Sequence, residues 1–178
     1  MNPLEIIKKY YPEGSEIYHV LVEHSRLVAD KALELAANHP ELNLDKQFIE
    51  EAAMLHDIGI FKCDAADISC YGEAPYICHG IIGADIMRSE GYPRHALVCE
   101  RHTGTGITKE QILRDNMPLP VRDMVPVTNE EKLICFADKF YSKSHPGKQR
   151  SLEKMRKSIS RFGDDSLKRF EEMCTLFL

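Results

Sequence analysis

The strongest constraint on the fold is the stretch Ala52-Ala53-Met54-Leu55-His56-Asp57-Ile58-Gly59, which sets a histidine and an aspartate side by side at the end of an apolar helical run. Ile49, Ala52, Ala53 and His56 fall at i, i+3, i+4 and i+7, so they share one helix face. That face points to a core and carries His56 inward. Asp57 lies about 100° further round and flanks the same seam. Gly59 suits a left-handed C-terminal position that stops the helix. Burying a His beside an Asp is costly unless something pairs with both, and a metal ion would pair with both.

Nearly every other periodic segment also has the helical period. Leu4, Ile7 and Tyr11 mark a short first helix, and a long second one runs from Ser15 or Glu16 to about Asn38. Asp45 is placed to cap the helix that carries His56 and Asp57. Phe61 to Cys78 is the least regular stretch and reads as a loop with at most one helical turn. Helices then start at His79 and Pro93, and Gly91-Tyr92-Pro93 breaks the chain between them. Thr108 with Gln111 and Thr128 with Glu131 read as capping boxes, the second opening a helix over Lys132–Tyr141. Two amphipathic helices, near Ser151–Arg161 and Ser166–Phe177, complete an all-α reading with no strand. With 178 residues and no linker, the chain reads as one domain over 1–178, with a motif-bearing core about 16–142 and C-terminal helices about 150–178.

The inner faces carry six polar residues where an apolar one is expected: His24, His56, Asp57, His79, His102 and Asp138. Any one alone reads as an ordinary core or cap residue. Six together, all His or Asp, would each need a separate buried partner, whereas a shared metal site satisfies them all. Nitrogen and carboxylate donors without thiolate suit iron, manganese or zinc. Histidines 19, 39, 95 and 145 lack this placement and read as surface or turn residues.

Charge and cysteine usage narrow the setting. A net charge of −5 argues against a nucleic-acid partner, which wants a basic face, but leaves room for a small anionic substrate. No apolar run approaches the roughly 20 residues of a membrane span. The six cysteines form no C-x-x-C pair and read as reduced thiols of a cytoplasmic protein. Nothing in the sequence sets an oligomeric state.

The order His24 … His56-Asp57 … Asp138 resembles the HD-domain superfamily of metal-dependent phosphohydrolases, and His56-Asp57-Ile58-Gly59 matches its HDIG variant. The resemblance covers His24 to about Tyr141. It implies a helical bundle in which His24, His56, Asp57 and Asp138 bind one metal. It also implies a second metal on His79 and His102, with Asp57 as the bridge. The runs His79-Gly80-x-x-Gly83-Ala84 and Arg101-His102-Thr103-Gly104 are similar to the branch that hydrolyses dinucleoside tetraphosphates. Two departures argue against cyclic-di-GMP as substrate: Ile60 stands where those phosphodiesterases have Lys directly after HDIG, and Gly91-Tyr92-Pro93 lies before His102 with no tandem histidines ahead of it.

Two divalent ions would lower the pKa of water from about 15.7 to about 7 and so supply a nucleophile for phosphate hydrolysis. Asp57 and His56 are the catalytic candidates. Lys62, Arg101, Lys139 and Lys143 are the basic candidates for binding the anionic substrate, a nucleotide or related phosphate ester. The resemblance also admits a different class, a di-iron oxygenase on the same six ligands, which oxygen dependence would distinguish.

Overall fold

The computed structural model describes residues 1–145 and 147–178. Its organising element is a long helix, α2 (Glu16–Asn38), packed against α3 (Lys46–Leu55) and α7 (Asn129–Asp138). The other helices among the described residues are α1 (Pro3–Tyr10), α4 (His79–Ser89), α5 (Pro93–Arg101), α6 (Lys109–Arg114), α8 (Leu152–Ile159) and α9 (Asp164–Phe177). Local chemistry sets most of the helix starts. Ser15, Asp45, Thr108, Thr128 and Ser151 each accept a bond from a backbone N–H of the first turn.

Three expectations change in detail. The stretch after the His-Asp pair is not merely a loop: Asp64–Ala65 and Cys70–Tyr71 form a small antiparallel hairpin, β1 and β2, among single 3₁₀ turns. Two residues per strand carry too little alternation to be read from sequence. The box at Thr108 and Gln111 is reciprocal, but at Thr128 only half of one forms. There the Glu131 carboxylate turns instead to the Val127 N–H and to Arg101. The helix accordingly spans Asn129–Asp138 rather than starting at Lys132.

The core is buried on more than one face of α3. Phe48, Ile49, Ala52, Ala53, Met54 and Leu55 are all buried, so the seam is broader than a single stripe. A smaller cluster of Ile107, Ile112, Leu119 and Met124 lies under the irregular segment after α6. Among the described residues, no helix is long and apolar enough to cross a membrane.

Candidate metal centre

The helical hydrogen bonding of α3 ends at Leu55, and His56 and Asp57 lie in the tight turn that follows. Gly59 does not take the left-handed conformation expected of it; its φ is −85°. A glycine is required there for a different reason. A Cβ would come 2.3 Å from the His79 carbonyl oxygen and 2.5 Å from the Gly83 nitrogen. The turn is therefore pressed directly onto the start of α4. Gly80 plays the same part on the other side, where a Cβ would meet the Cys99 carbonyl at 2.6 Å. These two close approaches bring His79, His102 and the His-Asp turn together.

Six side chains converge. His24, His56, Asp57 and Asp138 offer donor atoms that all lie within 4.8 Å of one another, and so do Asp57, His79 and His102. Asp57 belongs to both groups, and its two oxygens divide between them. Oδ2 is 2.9 Å from His56 Nε2 and 3.4 Å from His24 Nε2. Oδ1 is 3.3 Å from His102 Nε2 and 3.4 Å from His79 Nε2. Asp138 Oδ1 closes the first group at 2.9 Å from His24 Nε2.

Three of the four histidines are oriented in the same way. Each uses Nδ1–H to donate to the carbonyl three residues earlier: His56 to Ala53 at 2.6 Å, His79 to Tyr76 at 2.6 Å, His102 to Cys99 at 2.8 Å. A carbonyl can only accept, so each Nδ1 carries a proton and each Nε2 faces the centre. Outer hydrogen bonds of this kind fix the ring and tautomer of metal-ligating histidines. Tyr76 also stacks on His79, with ring centroids 4.6 Å apart.

The interior donors lack hydrogen-bond partners. His56 Nε2 and Asp57 Oδ1 are buried with none among the described residues, and Asp57 Oδ2 has the close charges of Lys143 and His56 beside it. Leaving such atoms unpaired is costly, and a cation between them removes the cost. The donor set, four imidazole nitrogens and two carboxylates, suits divalent ions. The buried His/Asp groups could thus hold metal ions.

Around these carboxylates the charges are balanced by protons and lysines. Burial opposes ionisation of Asp57, but His56, Lys143 and further partners outweigh it and hold the carboxyl well below its usual range. Asp138 is treated likewise by Lys139, His24 and His56. Burial disfavours the His56 cation, yet the Asp57 and Asp138 carboxylates lift it to about 9. Burial pushes His79 down to about 3. Lys139 Nζ lies 2.6 Å from Asp138 Oδ2 and donates to the His102 carbonyl at 3.2 Å.

A cavity of about 460 Å³ opens onto the centre, with His24, Asp138, Lys139 and Lys143 in its lining. Its other lining includes Tyr76, Asp64, Asp67, Tyr141 and Arg150. The other two basic candidates are elsewhere. Lys62 is exposed, with its ammonium 5.8 Å from the Phe61 ring centroid. Arg101 pairs with Glu131 at 2.9 Å. Neither lines the cavity. His95, expected at the surface, is buried against Phe48 and Tyr92, 3.3 Å from Glu51 Oε2.

Two supporting residues lay outside the sequence reading of the site. Tyr11 is fully buried, donates to the Ile58 carbonyl at 2.8 Å and accepts from the Phe61 N–H at 3.2 Å, so α1 holds the turn after His56-Asp57. A tyrosine on an apolar helical stripe, which needs a partner for its hydroxyl, was the available signal. Arg150, far along the chain, reaches the cavity because its N–H donates to the Phe140 carbonyl at 2.7 Å.

A helical domain with two buried His/Asp groups that share one carboxylate could hold metal ions. The HD domain family model matches residues 21–142, and the chain belongs to that family. The match is to the family as a whole and does not single out the dinucleoside-tetraphosphate branch. An uncharacterized protein of Methanocaldococcus jannaschii is 35% identical over 121 residues, 66% of this chain and 64% of that protein. A tRNA (cytidine(56)-2'-O)-methyltransferase of Picrophilus torridus is 32% identical over 152 residues, 80% of this chain and 40% of that protein. The enzyme of the same name from Thermoplasma volcanium is 31% identical over 140 residues, 78% of this chain and 35% of that protein. The chain thus spans less than two thirds of the length of each of these relatives. No solved structure matches it.

Proposed function

We propose that this domain is a metal-dependent phosphohydrolase that acts on a nucleotide or related phosphate ester through a binuclear site. His24, His56, Asp57 and Asp138 would hold one ion, and Asp57, His79 and His102 would hold the other. The observation that carries this reading is the division of the Asp57 carboxylate, one oxygen toward each group. Divalent ions held there supply Lewis acidity at phosphoryl oxygens and lower the pKa of an attacking water.

The chain's own residues do the rest. The three Nδ1–H bonds keep Nε2 aimed inward and spare these three rings a reorientation on loading. Lys143, Lys139 and Arg150 give the cavity a positive side for an anionic substrate. Hydrolysis consumes one water: its oxygen bonds to phosphorus, the P–O bond to the leaving group breaks, and the leaving oxygen takes up a proton. The methyltransferase names belong to relatives of which this chain spans 40% and 35%, and methyl transfer is not assigned to it.

The test is metal analysis of the purified protein with a phosphate-release screen across nucleotides, run with and without oxygen. Oxygen-independent release that needs two bound metals per chain supports the reading. Iron content with oxygen-dependent turnover would replace it with the oxygenase.

A further inference from the structure

A second cavity, of about 220 Å³, adjoins the first, and Ser142 and Arg150 line both. His145, Lys148, Gln149 and Lys154 complete its lining, and no carboxylate is among the described residues that line it. Lys148 and Lys154 are exposed. The chain as a whole carries −5, so this stretch is opposite in sign to the average surface. Cations gathered in a cleft focus the field and favour an anion there.

The first cavity adds a direction. The hairpin contributes Asp64 and Asp67, while the segment after α7 contributes Lys143 and Arg150. A phosphate placed toward the two aspartates is repelled, whereas hydroxyl or amino donors of a nucleoside are accepted there. Any phosphate beyond the one at the His/Asp centre is favoured along Arg150 toward Lys148 and Lys154.

We propose that this groove is a second phosphate subsite, and that the substrate is a polyphosphorylated nucleoside rather than a monophosphate. This rests on the phosphohydrolase reading above and narrows its substrate class.

The experiment compares inorganic tripolyphosphate with inorganic phosphate by calorimetry on the full chain, metal-loaded and chelator-treated. The variants are Lys148→Gln with Lys154→Gln, the same pair changed to Arg, and a control pair, Lys46→Gln with Lys109→Gln, which lines neither cavity. Wild type should prefer tripolyphosphate, and the groove Gln pair should weaken it about tenfold. The Arg pair should retain affinity, and the control pair should change it less than about twofold. In turnover, the ratio of kcat/KM for a nucleoside triphosphate to that for its monophosphate should fall about tenfold in the groove Gln pair. No preference for tripolyphosphate, or equal losses in groove and control pairs, overturns the subsite. If no phosphate ester is hydrolysed, the phosphohydrolase reading fails, while the binding comparison still decides the groove.

Discussion

The ammonium of Lys143 lies 2.6 Å from Oδ2 of Asp57, so a lysine occupies the side of the carboxylate that faces His24 and His56. Burial opposes the Lys143 charge, but Asp57 and other neighbours hold it firmly protonated. This pair offsets the charge of the carboxylate. A cation bound at Oδ2 competes with the ammonium for the same oxygen. Lys143→Met should therefore destabilise the chelator-treated protein by about 1.5–3 kcal/mol and tighten metal binding. Denaturant melts and metal titrations of both forms check this. Unchanged metal affinity would show that the ammonium does not compete.

Tyr11→Phe removes the hydroxyl that serves both the Ile58 carbonyl and the Phe61 N–H. Two backbone groups lose their partner, at a cost of about 1–3 kcal/mol in chemical denaturation. Because those groups anchor the turn bearing His56 and Asp57, metal affinity should drop about tenfold or more. A stability loss with metal affinity intact would make Tyr11 a core residue only.

Gly59→Ala should be a severe change. Its Cβ would meet backbone, the His79 carbonyl and the Gly83 nitrogen, and backbone cannot move aside without shifting α4. The expected loss is about 3 kcal/mol or more, together with loss of the His79 and His102 group. Gly91→Ala, which has open space around it, should leave metal content unchanged, although its φ of +87° adds strain. Metal counts per chain for the two variants make the comparison.

His95 gives a pH test away from the centre. Burial lowers its pKa below the ordinary value of 6.5. A depressed histidine contributes stability that is full above the unfolded pKa and is lost as the pH falls through about 6.5 toward the folded value. His95→Phe should therefore flatten the fall in stability between about pH 7.5 and pH 5.5. His95→Ala should cost about 2–4 kcal/mol, since it opens space beside Phe48 and Tyr92. Urea melts across that range check both, and a wild-type slope in His95→Phe would show that another group carries it.

The helices were legible because caps and stripes are local: Asp45 caps α3, and Thr108 with Gln111 opens α6. The polar residues on inner faces were legible as a set, since His24, His56, Asp57, His79, His102 and Asp138 each break an apolar pattern. What was not legible depends on contacts between distant segments. Gly59 looked like a helix stop, but its role is set by the approach of α4. His95 carries the same letter as an exposed histidine, and distant segments bearing Phe48 and Glu51 help to bury it. Lys62 and Arg101 are near the motifs in sequence, yet neither lines the cavity, while Arg150 does.

If the Asp57 carboxylate joins two metal ions, Asp57→Asn should separate them. Asn keeps the size and loses the charge, and a neutral amide is a poor bridge between two cations. The measurement is metal content per chain and phosphate release for wild type and Asp57→Asn, prepared side by side. Wild type should carry two metals and turn over, and Asp57→Asn should carry at most one metal with turnover abolished. Two metals and most of the rate in Asp57→Asn would contradict this bridging role.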